Sequence, residues 1–294
     1  MKIVTDDGAD LLPEEIAEME ITVVPFYIHF PDGELVSTEI SRDEFYTRLR
    51  KAAPHVPTTA SPSPGRFINT YRRLAADGDE VISLHITSKM SSTYDDARLA
   101  AEYAEANISL IDTLSFSGGQ RFQVLAAALA ARAGWAKEAI VGLVERIRNV
   151  TELVFTLGTL EYLERGGRIG RVQALLGSVL KIKPVIVVDK EDSRFNPLGR
   201  RRSFPQALRL IVDHLIKTYG PTTPLWLSVL HGQFTEQAQN LAEMLSEHLQ
   251  VARLDVLRIS PALGVHAGPE AIGVAALPMS LLEGLLPSPA AGEV

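Results

Sequence analysis

Residues 87–94, Thr-Ser-Lys-Met-Ser-Ser-Thr-Tyr, offer a favourable place for anion chemistry. They follow an apolar segment and open a helical one, so free backbone N–H groups and the helix dipole favour a negative charge there. In open α/β sheets, ligands collect at the carboxyl ends of strands, which is where this loop falls. One serine would be enough to cap the helix, whereas several hydroxyls and a lysine crowd the turn. We therefore expect an anion to bind at this loop.

Two further segments carry polar groups that could meet a ligand. Residues 57–65, Pro-Thr-Thr-Ala-Ser-Pro-Ser-Pro-Gly, form either a turn before a capped helix or a loop that presents the hydroxyl of Thr59 or Ser61. Residues 261–269 are expected to form a glycine-rich loop after a strand, and this loop contains His266. A single histidine of this kind is either structural or functional, and both interpretations stay open.

Arginines and glycines alternate in the segment Arg-Gly-Gly-Arg-Ile-Gly-Arg at 165–171. The glycines would let a backbone approach a phosphate closely, and the arginines would pair with it. The spacing is neither that of a P-loop nor that of a dinucleotide fingerprint, and a glycine C-cap flanked by solvated arginines explains it equally well. The run at 200–202 is likewise either exposed throughout or directs one arginine inward.

Several familiar catalytic and metal motifs do not occur in the sequence. The chain has no cysteine, which excludes disulfides, thiolate nucleophiles and cysteine-based metal sites. The histidines lack zinc-site spacing, and Asp6, Asp7 and Asp10 lack the spacing of an EF-hand. No GxSxG segment marks a serine hydrolase. We expect neither a bound metal nor a cofactor.

Composition and charge narrow the functional classes. Of the 294 residues, 46% are hydrophobic and 22% are charged, as in a globular protein, and the formal net charge is −7. A net negative surface disfavours general binding to nucleic acids and docking on anionic membranes. The first residues do not resemble a signal peptide, and no window approaches eighteen continuous apolar residues. We expect a cytoplasmic protein.

The elements that would position these segments alternate between strand and helix, which predicts the α/β class. We expect a mostly parallel sheet with helices on both faces in residues 1–150, a mixed sheet in residues 151–283, and a frayed tail at 284–294. In the first half, the apolar pattern predicts one long strand over residues 21–30 that ends at an Asp-Gly turn. In the second half, helices are expected around Tyr162 and over residues 172–180.

The order of these motifs resembles that of the DegV family of bacterial fatty-acid-binding proteins, the carrier subunits of fatty acid kinase. The family motif Leu-Glu-Tyr-Leu-x-x-Gly-Gly-Arg-Ile-Gly is present unaltered at residues 160–170. Four other family motifs are similar to segments of this chain at residues 5–11, 59–65, 87–94 and 264–271. The five motifs occur in the same order as in the family. The chain differs from the family pattern at Ala60, Ser61, Ser92 and Glu270, and at residues 203–206, where family members often carry basic residues.

The resemblance implies two α/β domains with a lipid tunnel between or within them that encloses one acyl chain. Its carboxylate is expected to meet Thr59 and Ser91, with His266 and Arg202 beside it. Residues expected to support the site are Ser61, Ser88, Ser92, Thr93, Arg168 and Gly264. The resemblance further implies a non-catalytic lipid carrier that presents a long-chain fatty acid to a separate ATP-dependent kinase, with transient membrane contact.

Two other functional classes compete with this one. An enzyme acting on an acyl or phosphorylated molecule would use Ser91 as nucleophile and His266 as base, although the sequence supplies no third orienting group. A nucleic-acid-binding protein would use the arginines at 165–171 and 200–202. The acidic net charge and the lack of aromatic residues between these arginines count against this class.

Overall fold

The computed structural model describes residues 1–175 and 182–285. These residues form thirteen strands and ten α-helices. The strands are β1 (Lys2–Asp6), β2 (Thr22–Val24), β3 (Tyr27–Phe30), β4 (Gly33–Val36), β5 (Thr58–Ala60), β6 (Val81–His85), β7 (Ile108–Asp112), β8 (Glu152–Leu157), β9 (Lys183–Val188), β10 (Phe195–Arg201), β11 (Leu225–His231), β12 (Val251–Arg258) and β13 (Ala271–Pro278). The helices are α1 (Pro13–Glu18), α2 (Arg42–Ala52), α3 (Pro64–Leu74), α4 (Thr93–Tyr103), α5 (Ser117–Arg132), α6 (Lys137–Val150), α7 (Glu161–Arg165), α8 (Phe204–Tyr219), α9 (Thr235–His248) and α10 (Pro261–Ala267).

The first sheet is parallel throughout, with strand order β2-β1-β6-β7. Its two faces are buried by different helices because neighbouring residues of a strand point to opposite sides. Val4 and Val81 pack with Phe67 and Tyr71 of α3, whereas Ile82 belongs to the core on the α5 side. The expected parallel sheet with helices on both faces is confirmed.

The second sheet is mixed, with strand order β10-β9-β8-β13-β11-β12. Only β11 and β12 pair in parallel, and the other four pairings are antiparallel. Helices α8 and α9 cover one face, where a separate apolar core contains Leu208, Ile211 and Leu241. The expectation of a mixed sheet for the second half is confirmed.

Helix α5 lies between the two sheets and joins them into one core. Thirteen of its sixteen residues are buried, and the helix contacts both β1 and β13. A Cβ placed on Gly118 would lie 2.6 Å from the Cβ of Ala275, so the helix approaches β13 as closely as a glycine permits. The fully buried Arg121 pairs with Glu15 and with Asp255, which fixes the first half of the chain against the second.

The strand expected over residues 21–30 is instead divided in two. Because Pro25 has no N–H to donate to a neighbouring strand, the strand is interrupted there, between β2 and β3. Strand β3 leaves the first sheet and forms a small antiparallel sheet, β4-β3-β5, in which Thr59 pairs with Ile28. This correction matters because the small sheet is what positions Thr59.

The segment at 261–269, which the sequence predicts to be a loop, mostly forms the short helix α10. This helix begins with Pro261 in its first turn. The domain boundary expected near residue 150 remains a prediction. The last strand of the first sheet ends at Asp112, and the first strand of the second sheet begins at Glu152. The helix expected at 172–180 is a 3₁₀ turn up to Leu175, and the rest lies outside the described residues, as do positions 286–294 of the tail. In the described ranges, no helix is long and apolar enough to cross a membrane.

Candidate functional site

A largely apolar cavity lies between the carboxyl edge of the first sheet and the inner face of the second. Its empty volume is about 910 Å³ when the open solvent at its mouth is included. Five of its 22 lining residues carry polar side chains: Thr59, Ser91, Ser117, Arg168 and His266. The remainder are apolar or glycine, so the cavity suits a molecule that is mainly hydrocarbon.

Thr59 and His266 meet at this cavity. Thr59 Oγ1 lies 2.8 Å from His266 Nε2, within hydrogen-bonding distance. The other ring nitrogen of His266, Nδ1, is buried and has no hydrogen-bond partner among the described residues. Gly166 packs against it so closely that a Cβ there would lie 2.3 Å from Nδ1. The imidazole is therefore held by one hydrogen bond and by tight packing.

Burial, and to a smaller extent the nearby Arg168 guanidinium, lowers the pKa of His266 from 6.5 to about 4. Both effects disfavour the imidazolium form, because a charge is poorly solvated there and lies beside another cation. The ring is accordingly neutral at physiological pH. The neutral ring can form a hydrogen bond with a ligand or with Thr59, but it does not contribute a positive charge.

Arg168 supplies the positive charge at the cavity. Its Nε donates to the Met90 carbonyl at 3.1 Å, and its Nη1 donates to the Gly166 carbonyl at 2.6 Å. Both acceptors are neutral backbone groups, and Arg168 is the one arginine or lysine among the lining residues. The sequence suggested this residue only as a supporting one, through the unaltered motif at 160–170.

Ser91 lies in the loop between β6 and α4, directly after the carbonyl that Arg168 contacts. Its hydroxyl lies 2.8 Å from Thr93 Oγ1, and it accepts a hydrogen bond from the Thr93 amide at 3.3 Å. Because Ser91 pairs with Thr93 and His266 pairs with Thr59, the two are not arranged as a nucleophile and its base. Thr59 and His266 are joined by a hydrogen bond, Arg168 lies close enough to His266 to lower its pKa, and Arg168 also donates to the carbonyl of Met90, the residue before Ser91.

Arg202 does not line the cavity. It is exposed, follows the last residue of β10, and its backbone amide donates to Gln206 Oε1 at 3.3 Å. The expectation that Arg202 stands beside the other three residues stays a prediction, and Arg168 is the cation that lines the cavity.

Of the residues expected to support the site, Arg168 alone lines the cavity, and the others make contacts within and between the neighbouring loops and helices. Ser61 and Ser92 both donate to Asp96, at 2.7 and 3.0 Å, which ties the segment after β5 to the start of α4. The Ser88 amide donates to Asp112 at 3.2 Å. A Cβ on Gly264 would lie 2.6 Å from the Phe45 ring, so α10 packs on α2 at a glycine.

A serine, a histidine and an aspartate also form a hydrogen-bonded chain that the sequence did not indicate. Ser83 Oγ lies 2.7 Å from His85 Nε2, and His85 Nδ1 lies 2.9 Å from Asp6 Oδ2. All three side chains are fully buried, and the Ser83 hydroxyl also contacts Tyr71. None of the three lines the cavity, and their hydrogen bonds join β1 to β6 inside the first sheet.

Comparison with known proteins identifies the family. The family model described as uncharacterised protein, DegV family, matches residues 1–279. A DegV domain-containing protein of Deinococcus radiodurans is 35% identical over 276 residues, which are 94% of this chain and 95% of the relative. The chain belongs to the DegV family.

Solved DegV structures share the fold over nearly the whole chain. A Thermus thermophilus DegV family protein described by its fatty acid binding superimposes with a TM-score of 0.88 at 30% identity, covering 94% of this chain and 99% of that one. DegV of Bacillus subtilis, described as a fatty acid binding protein, gives a TM-score of 0.84 at 26% identity, with 94% and 98% covered. The expected α/β architecture of a DegV protein is therefore confirmed.

Proposed function

We propose that this DegV protein binds one long-chain fatty acid, with the acyl chain in the cavity and the carboxylate at Thr59, Ser91, Arg168 and His266. The observation that carries the proposal is that the hydrogen-bonded pair Thr59–His266, Ser91 and the cation Arg168 all line one largely apolar cavity. Two similar proteins are described as binding fatty acids, which supports the same ligand class here.

The acyl chain would supply most of the affinity. Each buried methylene contributes roughly 0.8 kcal/mol, so a sixteen-carbon chain gains on the order of 10 kcal/mol before the costs of ordering it. A charge-assisted hydrogen bond at the head adds about 1.5–3 kcal/mol. The polar group therefore orients the ligand and selects for a carboxylate, while the hydrocarbon holds it in place.

Each head-group residue has a separate part in this proposal. With its proton on Nε2, the neutral His266 ring donates to Thr59 Oγ1, which leaves the threonine O–H free to donate to a carboxylate oxygen. Ser91 offers a second hydroxyl, and Arg168 offsets the negative charge. A single cation assisted by hydroxyls limits the desolvation cost that a fully buried ion pair would carry.

We further infer that the protein is a non-catalytic carrier that presents the bound carboxylate to a separate ATP-dependent kinase for acyl-phosphate formation in the cytoplasm. The resemblance of its motifs to the carrier subunits of fatty acid kinase supports this role. The test is acyl-phosphate formation in a mixture of ATP, a bacterial fatty acid kinase and the lipid-loaded protein. Product that forms equally well without this chain would contradict the carrier role.

The lipid site itself is tested by combining Thr59→Ala with Ser91→Ala. We expect the double variant to fold normally and to lose affinity for palmitate and oleate in a fluorescent-lipid displacement assay. Unchanged affinity in the folded double variant would show that the carboxylate is held elsewhere.

A further inference from the structure

Three phenylalanine rings form a contiguous wall of the cavity. The ring centroids of Phe155 and Phe195 are 5.2 Å apart, and those of Phe116 lie 6.3 Å from Phe155 and 5.9 Å from Phe195. All three contacts are edge-to-face, the geometry that aromatic pairs favour, and all three residues line the cavity. The wall is therefore a packed unit and not three independent side chains.

This wall lies away from the polar group. Leu153, Phe155 and Leu157 alternate along β8 and face the cavity together, at about 3.3 Å per residue. The Leu157 end of the strand leads into α7 and Arg168, so the Leu153 end is the far one. The order of strands in the first sheet also separates the wall from the polar group. Phe116 follows the edge strand β7, whereas Thr59 belongs to the small sheet that follows the opposite edge strand, β2.

A second, polar pocket lies directly behind the wall. It shares Leu153 with the main cavity, has an empty volume of about 260 Å³, and is also lined by Ser115, Gln123, Arg148, Asp189 and Lys190. Within the described residues, Gln123 Oε1 and Arg148 Nε are buried and without hydrogen-bond partners. A methyl group pushed past Leu153 would meet these polar atoms and gain little apolar contact, which is unfavourable.

We propose that Phe116, Phe155 and Phe195, together with Leu153, form the closed end of the acyl site and set the length of chain that the protein accepts. The proposal rests on the proposed fatty-acid function and adds its specificity determinant. Chains that reach the aromatic wall gain affinity with each carbon, and chains that are longer meet a polar barrier. Affinity therefore rises to an optimum length and then falls.

Two substitutions with opposite expected effects test this inference. Phe116→Ala removes one of the three rings of the wall, so the optimum should move at least two carbons longer. Leu153→Phe fills the far end, so the optimum should move shorter. Each methylene gained or lost changes affinity by roughly fourfold. The measurement is displacement of a fluorescent lipid by saturated fatty acids of about 12 to 22 carbons at matched protein concentration.

Phe234→Ala is the matched control, because Phe234 pairs with Phe204 at 4.7 Å outside the cavity. Its length profile should equal that of the unmodified protein. If Phe116→Ala does not fold, Phe116→Leu and Phe155→Leu give the same test with smaller volume changes. Folded variants that keep the original optimum would overturn the length proposal alone, whereas an unmodified protein that binds no chain of any length would overturn the fatty-acid proposal with it.

Discussion

Thr59 Oγ1 and His266 Nε2 are 2.8 Å apart although 207 positions separate the two residues in the sequence. The small sheet β4-β3-β5 positions the threonine, and helix α10 positions the histidine. Their contact joins the two halves of the chain at the cavity, so the polar group exists only when both halves are folded and packed together. Three of the predictions below follow from this arrangement.

Removing the Thr59 hydroxyl should weaken fatty-acid binding. Thr59→Val preserves side-chain shape but loses both the contact with His266 and the proposed donor to the carboxylate. We expect roughly a tenfold or greater rise in the Kd for palmitate, in line with the loss of one charge-assisted hydrogen bond. Thr58→Val is the control, since Thr58 lies on the same strand and is exposed. Equal Kd values for the two variants would remove Thr59 from the site.

Arg168 should matter for the charge of the ligand. Arg168→Met should raise the Kd for a fatty acid by about 10- to 100-fold, whereas the Kd for the corresponding uncharged fatty alcohol should change much less. Isothermal titration with the two ligands measures the difference. Arg146→Met, on the exposed side of α6, controls for the loss of one positive charge. A parallel loss of affinity for acid and alcohol would mean that Arg168 acts by packing.

Glycine at position 264 should be required for the position of α10. A Cβ at Gly264 would lie 2.6 Å from the Phe45 ring and 2.7 Å from the Tyr46 hydroxyl, so Gly264→Ala should cost about 1–3 kcal/mol of unfolding free energy and weaken lipid binding through His266. Gly142→Ala provides the opposite case, because only the end of Arg146 lies near its added Cβ. There alanine should stabilise α6 by up to about 1 kcal/mol. Urea unfolding measures both.

Asp7 should make the protein less stable as the pH rises. Burial, followed by the neighbouring Asp10, raises the pKa of Asp7 from 3.8 to about 7, so the folded state holds this proton more tightly than the unfolded chain. The resulting stability is complete below pH 3.8 and is lost as the pH rises through 7.

Asp7→Asn cannot ionise, so it should be more stable than the unmodified protein at pH 8, with a gain that shrinks toward pH 4. Because Asp7 is partly exposed, we expect about 1–2 kcal/mol at pH 8. Urea unfolding across this range provides the measurement, and Asp77→Asn on an exposed turn controls for the change in net charge. A gain that is constant with pH would contradict the assignment.

The sequence predicts the framework of this protein well because strand and helix periodicity is a local property. The alternation of strand and helix, the parallel sheet expected in the first half and the mixed sheet expected in the second all agree with the structure. The break at Pro25 is also visible in the sequence, but its consequence is not. Whether β3 continues the first sheet or forms another depends on pairing with β5, about thirty residues further along.

The site shows the same division between local and distant information. Thr59, Ser91 and His266 lie in motifs that the sequence offers, and the structure places all three on one cavity. Arg202 and Arg168 could not be ranked from sequence, since both follow plausible segments and only the tertiary fold shows which one meets the cavity. The aromatic wall cannot be predicted from the sequence because Phe116, Phe155 and Phe195 belong to three separate segments with no common motif.

Native mass spectrometry of the freshly purified protein, before and after addition of palmitate, tests the central claim most directly. We predict a 1:1 complex with a mass increase equal to one fatty acid, and a marked loss of that complex in the Thr59→Ala, Ser91→Ala double variant. A folded protein that forms no complex with palmitate, stearate or oleate would contradict the claim that the cavity is a fatty-acid site.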